Sequence, residues 1–281
     1  MQHPPGSAAA PVTAMETPAW PASYGAEAQE RMGFFTDTSI CIGCKACEVA
    51  CKEWNGVPDD GLNFLGQSYD NTGELGANTW RHVAFIEQRV PADDGGDIRW
   101  LMSSDVCKHC TSAACLEVCP TGSLIRTEFG TVIVQQDICN GCGYCVPACP
   151  FGVIDKRHDD GRVWKCTLCY DRITDGLQPA CASACPTKSI QFGALDDLRE
   201  HAANRVEELH AQRVDAARLY GHDESDGVGG MGAFFLLLDD PEVYRLPPDP
   251  VSTTRDLPAM WRSAAKAAGV LAAAAIAAFV R

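Results

Sequence analysis

The sequence predicts an α+β fold of small cysteine-rich modules followed by a helical C-terminal part. Three observations favour this fold class. All 16 cysteines fall into four groups of four, short strand-like segments with tight turns lie around the groups, and apolar residues recur at helical spacing after residue 192. Strands and helices that separate along the chain in this way are typical of α+β proteins.

The cysteine groups define the predicted metal centres. They are Cys41, Cys44, Cys47 and Cys51; Cys107, Cys110, Cys115 and Cys119; Cys139, Cys142, Cys145 and Cys149; and Cys166, Cys169, Cys181 and Cys185. The third group lies in CNGCGYCVPACP, the CxxCxxCxxxCP run of bacterial ferredoxins, where three thiolates bind one 4Fe-4S cluster and the fourth binds another. The last three groups end in Cys-Pro and an apolar strand, so they form an internal repeat, whereas the first has Lys52 in place of proline. The sequence therefore predicts four 4Fe-4S clusters.

Disulfides, structural zinc and haem are the alternative uses of so many cysteines. Disulfide frameworks suit small secreted domains, whereas this chain has 281 residues, 46% of them hydrophobic. The fourth group has a wide gap before Cys181 and could by itself hold zinc, but the ferredoxin runs argue against a structural zinc-binding protein. No CxxC is followed by histidine, which excludes c-type haem attachment.

The ferredoxin rule also predicts which cysteines share a cluster. The fourth cysteine of a group binds the other cluster of its module, and the second and third groups are close enough in sequence to form one module. The predicted ligand sets are site 1 (Cys41, Cys44, Cys47 and Cys185), site 2 (Cys51, Cys166, Cys169 and Cys181), site 3 (Cys107, Cys110, Cys115 and Cys149) and site 4 (Cys119, Cys139, Cys142 and Cys145). One ferredoxin-like two-cluster module is thus interleaved with another.

Hairpin signals accompany the cysteine groups. Residues 123–129 and 131–134 flank Gly130, and residues 152–155 and 162–165 flank an Asp-Gly turn. Between the first two groups, residues 80–90 and 98–102 predict an inserted hairpin around residues 93–96. We interpret this insertion as a shield that packs over the clusters, and the exclusion of water is one influence on their reduction potentials.

Beyond the cysteines, the pattern predicts one amphipathic helix over residues 194–220 and a buried strand over residues 233–238. Residues 1–33 are rich in Pro and Ala without periodicity, which is typical of a tail. The predicted organisation is a flexible N-terminal tail (1–33), an outer module (34–51 and 155–193), an insertion (52–106), an inner module (107–154), a helix-strand extension (194–259) and a C-terminal hydrophobic helix (260–281).

The C-terminal segment leaves two interpretations open. Residues 264–280 are apolar apart from Lys266, and Trp261 with Arg262 stands at their start as an interfacial anchor would. A transmembrane helix needs about 20 apolar residues, whereas a run of 10 to 14 is more often a buried or interfacial helix. The uninterrupted run, residues 267–280, lies in the shorter class unless Lys266 extends its side chain to the membrane surface.

Other residues give weaker signals. Lys45, Lys52 and Lys108 lie beside predicted ligands and could stabilise reduced clusters electrostatically, although most such lysines are simply solvated. His109 is interpreted as a neighbour of the metal, because the cysteine set around it is complete. The sequence contains no P-loop, no GxGxxG after a strand and no nucleophile with an evident base. A formal net charge of −14 argues against nucleic acid as a partner.

Five segments carry a resemblance to a known family. They are GFFTDTSICIGCKACEVACKEWN from Gly33, VCKHCTSAACLEVCPTGSL from Val106, CNGCGYCVPACPFGVI from Cys139, KCTLCYDRI from Lys165, and PEVYRLPPDP followed by MWRSAAKAAGV. From about residue 33 onward, the chain resembles the iron–sulfur beta subunit of respiratory formate dehydrogenase, one of the four-cluster subunits that accompany molybdopterin enzymes. The resemblance implies a non-catalytic electron-transfer subunit.

The same resemblance implies partners and a location. Electrons would leave formate at a molybdenum or tungsten pterin centre in a catalytic alpha subunit, cross the clusters, and reach a membrane cytochrome b gamma subunit and quinone or another acceptor. The beta subunits of this family end in one membrane helix, so we expect a membrane-associated protein. The side of the membrane stays open, because Arg262 and Lys266 balance Arg281 and the chain shows no twin-arginine or Sec signal.

Other electron-transfer proteins share the cysteine pattern. The alternatives are the corresponding subunit of a dimethyl sulfoxide, polysulfide or nitrate reductase or of a hydrogenase, and a free-standing polyferredoxin. A soluble carrier would need neither the long insertion nor the C-terminal helix. The segment from Pro241 onward favours formate dehydrogenase among these.

Overall fold

The computed structural model describes residues 27, 29–61, 64–66, 69–89 and 98–279. Most of the predicted tail, the turn predicted at residues 93–96 and the last two residues of the predicted C-terminal helix lie outside the described residues.

The elements in chain order are β1 (Met32–Asp37), α1 (Ala46–Asn55), β2 (Arg81–Arg89), β3 (Ile98–Val106), α2 (Ala114–Glu117), β4 (Leu124–Arg126), β5 (Val132–Val134), α3 (Cys145–Ala148), β6 (Asp155–Lys156), β7 (Val163–Trp164), α4 (Tyr170–Thr174), α5 (Ala180–Ser183), β8 (Ile190–Ala194), α6 (Leu195–Ala211), β9 (Arg218–Tyr220), β10 (Ala233–Leu237) and α7 (Leu257–Phe279), with 3₁₀ turns at Thr38–Ile40 and Pro241–Tyr244.

A four-stranded sheet in the order β8-β1-β10-β9 supports the fold. β1 runs parallel to β10 and antiparallel to β8, and β9 is an antiparallel edge strand. On one face, Phe35 and Phe234 stack at 5.2 Å under the apolar side of α6. On the other face, Phe34 and Ala233 join a core that contains cysteines. The predicted helix-strand extension therefore completes the same sheet that begins at the N-terminal end of the described chain.

The start of β1 corrects the predicted tail boundary. The prediction places Met32 and Gly33 in the tail, but both belong to β1. The backbone N–H of Met32 donates to Phe129 O at 3.1 Å, and the N–H of Leu195 donates to Arg31 O at 2.8 Å. These long-range hydrogen bonds order the chain before residue 34, and composition alone gives no sign of them.

The end of α6 corrects the predicted helix over residues 194–220. The helix ends at Ala211, where Arg213 adopts a φ of 66° and the N–H of Val214 donates to Leu209 O at 2.9 Å. Residues 218–220 instead form β9 and pair with β10. Pairing at the sheet edge satisfies the backbone groups of this segment and buries Tyr220, so tertiary contacts override the helical pattern.

The hairpins predicted beside the cysteine groups are present. β4 pairs with β5 across the turn at Gly130, and β6 pairs with β7 across the Asp-Gly turn, although β6 starts three residues later than residue 152. β2 and β3 pair antiparallel over nine residues, from Arg81 opposite Val106 to Arg89 opposite Ile98. This long pair ends directly before Cys107 and brings the start of β2 beside the second cysteine group.

Proline after the fourth cysteine sets the length of the helix in each group. The third cysteines lie on α1, α2, α3 and α5. In the three groups that end in Cys-Pro, the helix has four residues, because proline disfavours helical geometry in the residue before it and cannot continue the helix. In the first group Lys52 takes this position, and α1 continues to ten residues and ends at Asn55.

The C-terminal helix α7 stands away from the rest of the described fold. It spans 23 residues, none of them buried, and by length and composition it is long and apolar enough to cross a membrane. It starts at Leu257, ten residues before the uninterrupted apolar run, because the helix includes the polar turn around Arg262. Exposed apolar side chains on every side of a helix indicate that another surface covers it.

Candidate metal centres

Each cysteine group opens with a CxxC loop that depends on one left-handed residue. The residue before the second cysteine has a positive φ in every group: 64° at Gly43, 44° at His109, 71° at Gly141 and 60° at Leu168. A side chain at Gly141 would meet the carbonyl oxygen of Gly161 at 2.4 Å, so this position requires glycine. His109 and Leu168 adopt the same conformation while fully buried, so the four loops share one shape despite their different sequences.

The thiols of sites 1 and 3 converge on cavities. The four predicted ligands of site 3, Cys107, Cys110, Cys115 and Cys149, line one small cavity. The four predicted ligands of site 1, Cys41, Cys44, Cys47 and Cys185, line another. In both cases the fourth cysteine comes from a different group than the first three.

The thiols of sites 2 and 4 lie close enough to influence one another. Burial raises the pKa of Cys51 far above its usual range, and the thiols of Cys166, Cys181 and Cys169 raise it further. Burial likewise raises the pKa of Cys145 to about 12, with added repulsion from Cys119, Cys139 and Cys142. The thiols that act on Cys51 and on Cys145 are therefore the other members of their predicted sets.

The four sets follow one another in a row. Between sites 1 and 2, the thiols of Cys47 and Cys181 interact, and between sites 2 and 3 those of Cys166 and Cys107 do so. Between sites 3 and 4, Cys145 raises the pKa of Cys115. The exposed cysteines are Cys44 in site 1 and Cys142 in site 4, so both ends of the row reach the surface.

The chemistry of these donors fits 4Fe-4S clusters. Each set supplies four thiols, and burial raises the pKa of most of them, so iron or a nearby cation must stabilise the thiolate that metal binding requires. Within the described ranges, no three His, Cys, Asp or Glu side chains are spaced to bind a single metal ion directly. A cluster differs from a single ion in this respect, because its own iron and sulfide atoms separate the thiolates.

The three lysines noted in the sequence occupy different surroundings. Lys45 lies 2.8 Å from Asp70 and 3.2 Å from Glu48, and Lys52 lies 3.0 Å from Asp60 at the surface. Lys108 is fully buried beside site 3, where it pairs with Asp105 and lies 5.2 Å from the ring centroids of Phe151 and Phe235. Lys108 alone of the three is held inside the protein next to thiols.

His109 is buried among cations. Its Nδ1 accepts a hydrogen bond from the N–H of Val132 at 3.0 Å, which places the ring proton of the neutral form on Nε2. Burial lowers the pKa of His109 well below its usual range, and the charges of Lys165 and Arg126 lower it further. The histidine is therefore a neutral side chain in the wall of site 3.

Three buried cations near the thiols were missed in the sequence. Arg81 at the start of β2 is 1% exposed, Lys165, directly before Cys166, is 2% exposed, and Arg126 on β4 is 4% exposed. Lys165 Nζ donates to the carbonyl oxygens of Val132 and Cys166, and its charge lowers the pKa of Cys115. The position next to a ligand could have identified Lys165, whereas Arg81 lies far from any cysteine in sequence.

Comparison with known proteins agrees with this chemistry. The 4Fe-4S dicluster domain matches residues 40–123 and, in a second version, residues 98–195. The chain is 41% identical over 243 residues to the nitrate-inducible formate dehydrogenase iron-sulfur subunit of Escherichia coli, which covers 84% of this chain and 79% of the relative. It is 39% identical over 234 residues to the formate dehydrogenase iron-sulfur subunit of Haemophilus influenzae, covering 82% of this chain and 73% of the relative.

A relative from another enzyme matches a shorter region. The B subunit of the anaerobic dimethyl sulfoxide reductase of Escherichia coli is 36% identical over 169 residues, which covers 60% of this chain and 76% of the relative. The match to formate dehydrogenase subunits thus extends over more of the chain. The protein carries multiple 4Fe-4S clusters, and it belongs to the family of formate dehydrogenase iron–sulfur subunits, which are electron-transfer subunits.

Proposed function

We propose that this chain binds four 4Fe-4S clusters in sites 1 to 4 and relays electrons from a formate-oxidising catalytic subunit to a membrane acceptor. The observation that carries the proposal is the row of four thiol sets that runs from exposed Cys44 to exposed Cys142. When bound, the clusters supply one-electron transfer between them. The ends of the row then offer one contact surface to a donor and one to an acceptor.

The proposed domain organisation is two interleaved modules with an inserted hairpin. The neighbours of Cys51 in site 2 come from residues 166–181, and the neighbours of Cys41 include Cys185, which supports an outer module split along the chain. The thiols of sites 3 and 4 come from residues 107–149, which supports an inner module between the two parts. The pair β2–β3 follows the first part of the outer module, which ends at Cys51, and precedes the inner module, which starts at Cys107.

The chain's own residues hold the clusters and keep water from the middle of the row. Cys107, Cys166 and Cys181 are buried in an apolar core with Phe34, Trp80 and Val83. A dry, rigid setting limits the rearrangement that accompanies each change of charge. We assign no catalytic residue to this chain and place formate oxidation in a molybdopterin-containing alpha subunit, as the family membership suggests.

The membrane contact is assigned to α7. Its exposed apolar surface, with Trp261 and Arg262 near the start, suits a helix that enters the bilayer beside a cytochrome b gamma subunit. Deletion of residues 257–281 is expected to release the complex from membranes on washing. If the truncated complex stays bound to membranes, α7 is not the anchor.

The function is tested by purifying the native complex through a tag on this chain from its own host. We expect about 16 Fe per chain, molybdenum or tungsten in the same sample, and formate-dependent reduction of a dye. Iron with a different large subunit and no formate activity would assign the same electron path to another enzyme, such as a dimethyl sulfoxide reductase. Zinc without iron would overturn the cluster assignment.

The pairing of cysteines across groups has its own test. Replacing Cys149 by serine is expected to remove or alter the cluster held by the first three cysteines of the second group, because Cys149 lies in their cavity. Electron paramagnetic resonance (EPR) of the reduced complex follows the loss. If the cluster held by Cys139, Cys142 and Cys145 disappears instead, the pairing is wrong.

A further inference from the structure

The strand pair β2–β3 places a permanent cation between two of the proposed clusters. Arg81 pairs with Val106 at the end of the ladder, directly before Cys107, and its side chain is 1% exposed. Its guanidinium group lies close to the thiols of Cys181, Cys47, Cys166 and Cys51, and the Ser104 hydroxyl that it contacts lies 3.3 Å from Cys47 Sγ. These four cysteines comprise one thiol of site 1 and three of site 2.

The contacts of Arg81 leave part of its guanidinium group unused by the protein. Nη1 donates to Ser104 Oγ at 3.1 Å and lies 3.3 Å from Ser104 O, and Cζ lies 4.8 Å from the centre of the Phe34 ring. Nε and Nη2 are buried and have no nitrogen or oxygen acceptor among the described residues, and the Arg81 side chain lies within hydrogen-bonding reach of the Cys181 thiol. Buried donors without partners carry a large free-energy cost, so these two N–H groups require acceptors that occupy the thiol sites.

The charge of Arg81 is also not neutralised by a carboxylate. Over the described part of the chain, Arg81 forms no ion pair, whereas Lys45, Lys52 and Lys108 each contact Asp or Glu. A buried cation without a counter-charge is strongly unfavourable. Thiolates and an anionic cluster on either side would supply that counter-charge.

We propose that Arg81 is a positioning residue for electron transfer, a buried cation shared by sites 1 and 2 that raises the reduction potential of both clusters. The inference rests on the proposed assignment of those sites. One-electron reduction adds a negative charge to a cluster, and a fixed positive charge in a water-free surrounding stabilises that state most. The predicted insertion, residues 52–106, is interpreted as a shield over the clusters. It also places the positive charge of Arg81 between sites 1 and 2.

The test is a redox titration of the intact complex, followed by EPR, for wild type, Arg81→Gln and a control. Glutamine keeps an N–H donor for Ser104 and removes the charge. We expect two of the four one-electron steps in Arg81→Gln to shift to lower potential by at least about 59 mV each. For one electron, this shift is a tenfold decrease in the ratio of reduced to oxidised cluster. The other two steps should stay within twofold. A shift of all four steps, or of none, overturns the proposal.

The control variant is Arg99→Gln. Arg99 lies on β3 at the opposite end of the same strand pair, where it binds Asp239 at 3.1 Å away from the thiols. This variant should leave all four potentials unchanged, and a shift equal to that of Arg81→Gln would show a general effect of the strand pair. Iron content and the number of titrating steps, measured on the same samples, test the four-cluster assignment independently of the shift.

Arg81→Lys decides the matter if the glutamine variant does not retain its iron. Lysine keeps the charge but is a single donor group that cannot contact both sites as a planar guanidinium does. We expect full iron content and a lowered potential for at least one of the same two steps. Full iron content with four unchanged potentials would overturn the sharing of one guanidinium group between the two sites.

Discussion

Site 4, at one end of the thiol row, and the middle of the row stabilise their sulfurs in different ways. At site 4 a hydroxyl group lies beside a partly exposed sulfur: Ser123 Oγ is 3.3 Å from Cys119 Sγ. In the middle, buried cations act on the thiols, as Arg81 does on Cys181. Where water reaches the metal site, neutral donors suffice. Where water is excluded, a charge inside the protein must replace it.

Closeness in sequence to a cysteine does not predict which cations are buried beside the thiols in the middle of the row. Lys45 and Lys52 are adjacent to ligands, yet each is partly exposed and paired with at least one carboxylate. Lys165 is adjacent to a ligand and is buried without an ion pair in the described part of the chain. The difference lies in which way each backbone segment directs its side chain, and the four predictions below test its consequences.

The largest contrast is expected between Cys166→Ser in the middle and Cys142→Ser at one end. Loss of the Cys166 thiolate removes negative charge beside Arg81 and Lys165, so two buried cations lose part of the counter-charge around them. We expect Cys166→Ser to lose more than one cluster and to accumulate poorly. Cys142 is exposed, so Cys142→Ser should lose at most about four Fe per chain and keep the remaining clusters. Iron analysis of the purified complexes measures both, and equal losses would contradict the contrast.

The second prediction concerns Asp70, a buried carboxylate that holds Lys45 beside site 1. Asp70 accepts hydrogen bonds from Lys45 at 2.8 Å and from the Thr72 N–H at 3.0 Å, and it lies 2.6 Å from His82 Nε2. Although burial opposes it, these contacts hold the pKa of Asp70 well below its usual range. We expect Asp70→Asn to lower the free energy of unfolding by about 2 kcal/mol at neutral pH.

The pH dependence of that loss follows from the sign of the shift. A carboxylate whose folded pKa is depressed stabilises the fold fully above its unfolded pKa of about 4 and loses this contribution as the pH falls toward the folded value. The difference between wild type and Asp70→Asn should therefore shrink below about pH 4. Urea unfolding at pH 7 and pH 3.5 measures it, with Asp59→Asn, an exposed carboxylate, as the control. A difference that grows on acidification would contradict the assignment.

Local patterns in the sequence were sufficient for the cysteine chemistry and the hairpins at Gly130 and Gly161, because ligand spacing and turn residues act within a few residues of each other. The same patterns could not locate Arg81, since its burial depends on the register of β2 against β3. They also missed β1, which pairs with β8 and β10 from the other end of the described chain. Contacts between distant segments decide these features, and no local signal records them.

The third prediction compares two buried lysines. Lys165 has no carboxylate partner in the described residues, whereas Lys108 pairs with Asp105, which neutralises part of its charge. We expect Lys165→Met to lower the reduction potentials of the neighbouring clusters by about 59 mV, which is a tenfold decrease in the ratio of reduced to oxidised cluster. Lys108→Met should shift only the site 3 cluster, by a few-fold. Exposed Lys188, near Cys185, provides the control, and Lys188→Met should change no potential by more than twofold. If redox titration shows a larger potential shift for Lys108→Met than for Lys165→Met, pairing with a carboxylate does not determine how strongly a buried lysine raises the cluster potential.

The smallest effect is expected at site 4, where a hydroxyl rather than a cation supports the sulfur. Hydrogen bonds from Ser123 and Thr121, together with backbone N–H groups, outweigh partial burial and lower the pKa of Cys119 to about 7. Ser123→Ala removes one neutral hydrogen bond, which contributes about 1 kcal/mol, so the potential of one cluster should fall by about fivefold in the reduced-to-oxidised ratio. Ser123→Thr keeps the hydroxyl and should restore the wild-type value. A shift from Ser123→Ala as large as that from Lys165→Met would remove the distinction between site 4 and the middle of the row, because a single neutral donor beside a partly exposed sulfur would then match a buried charge.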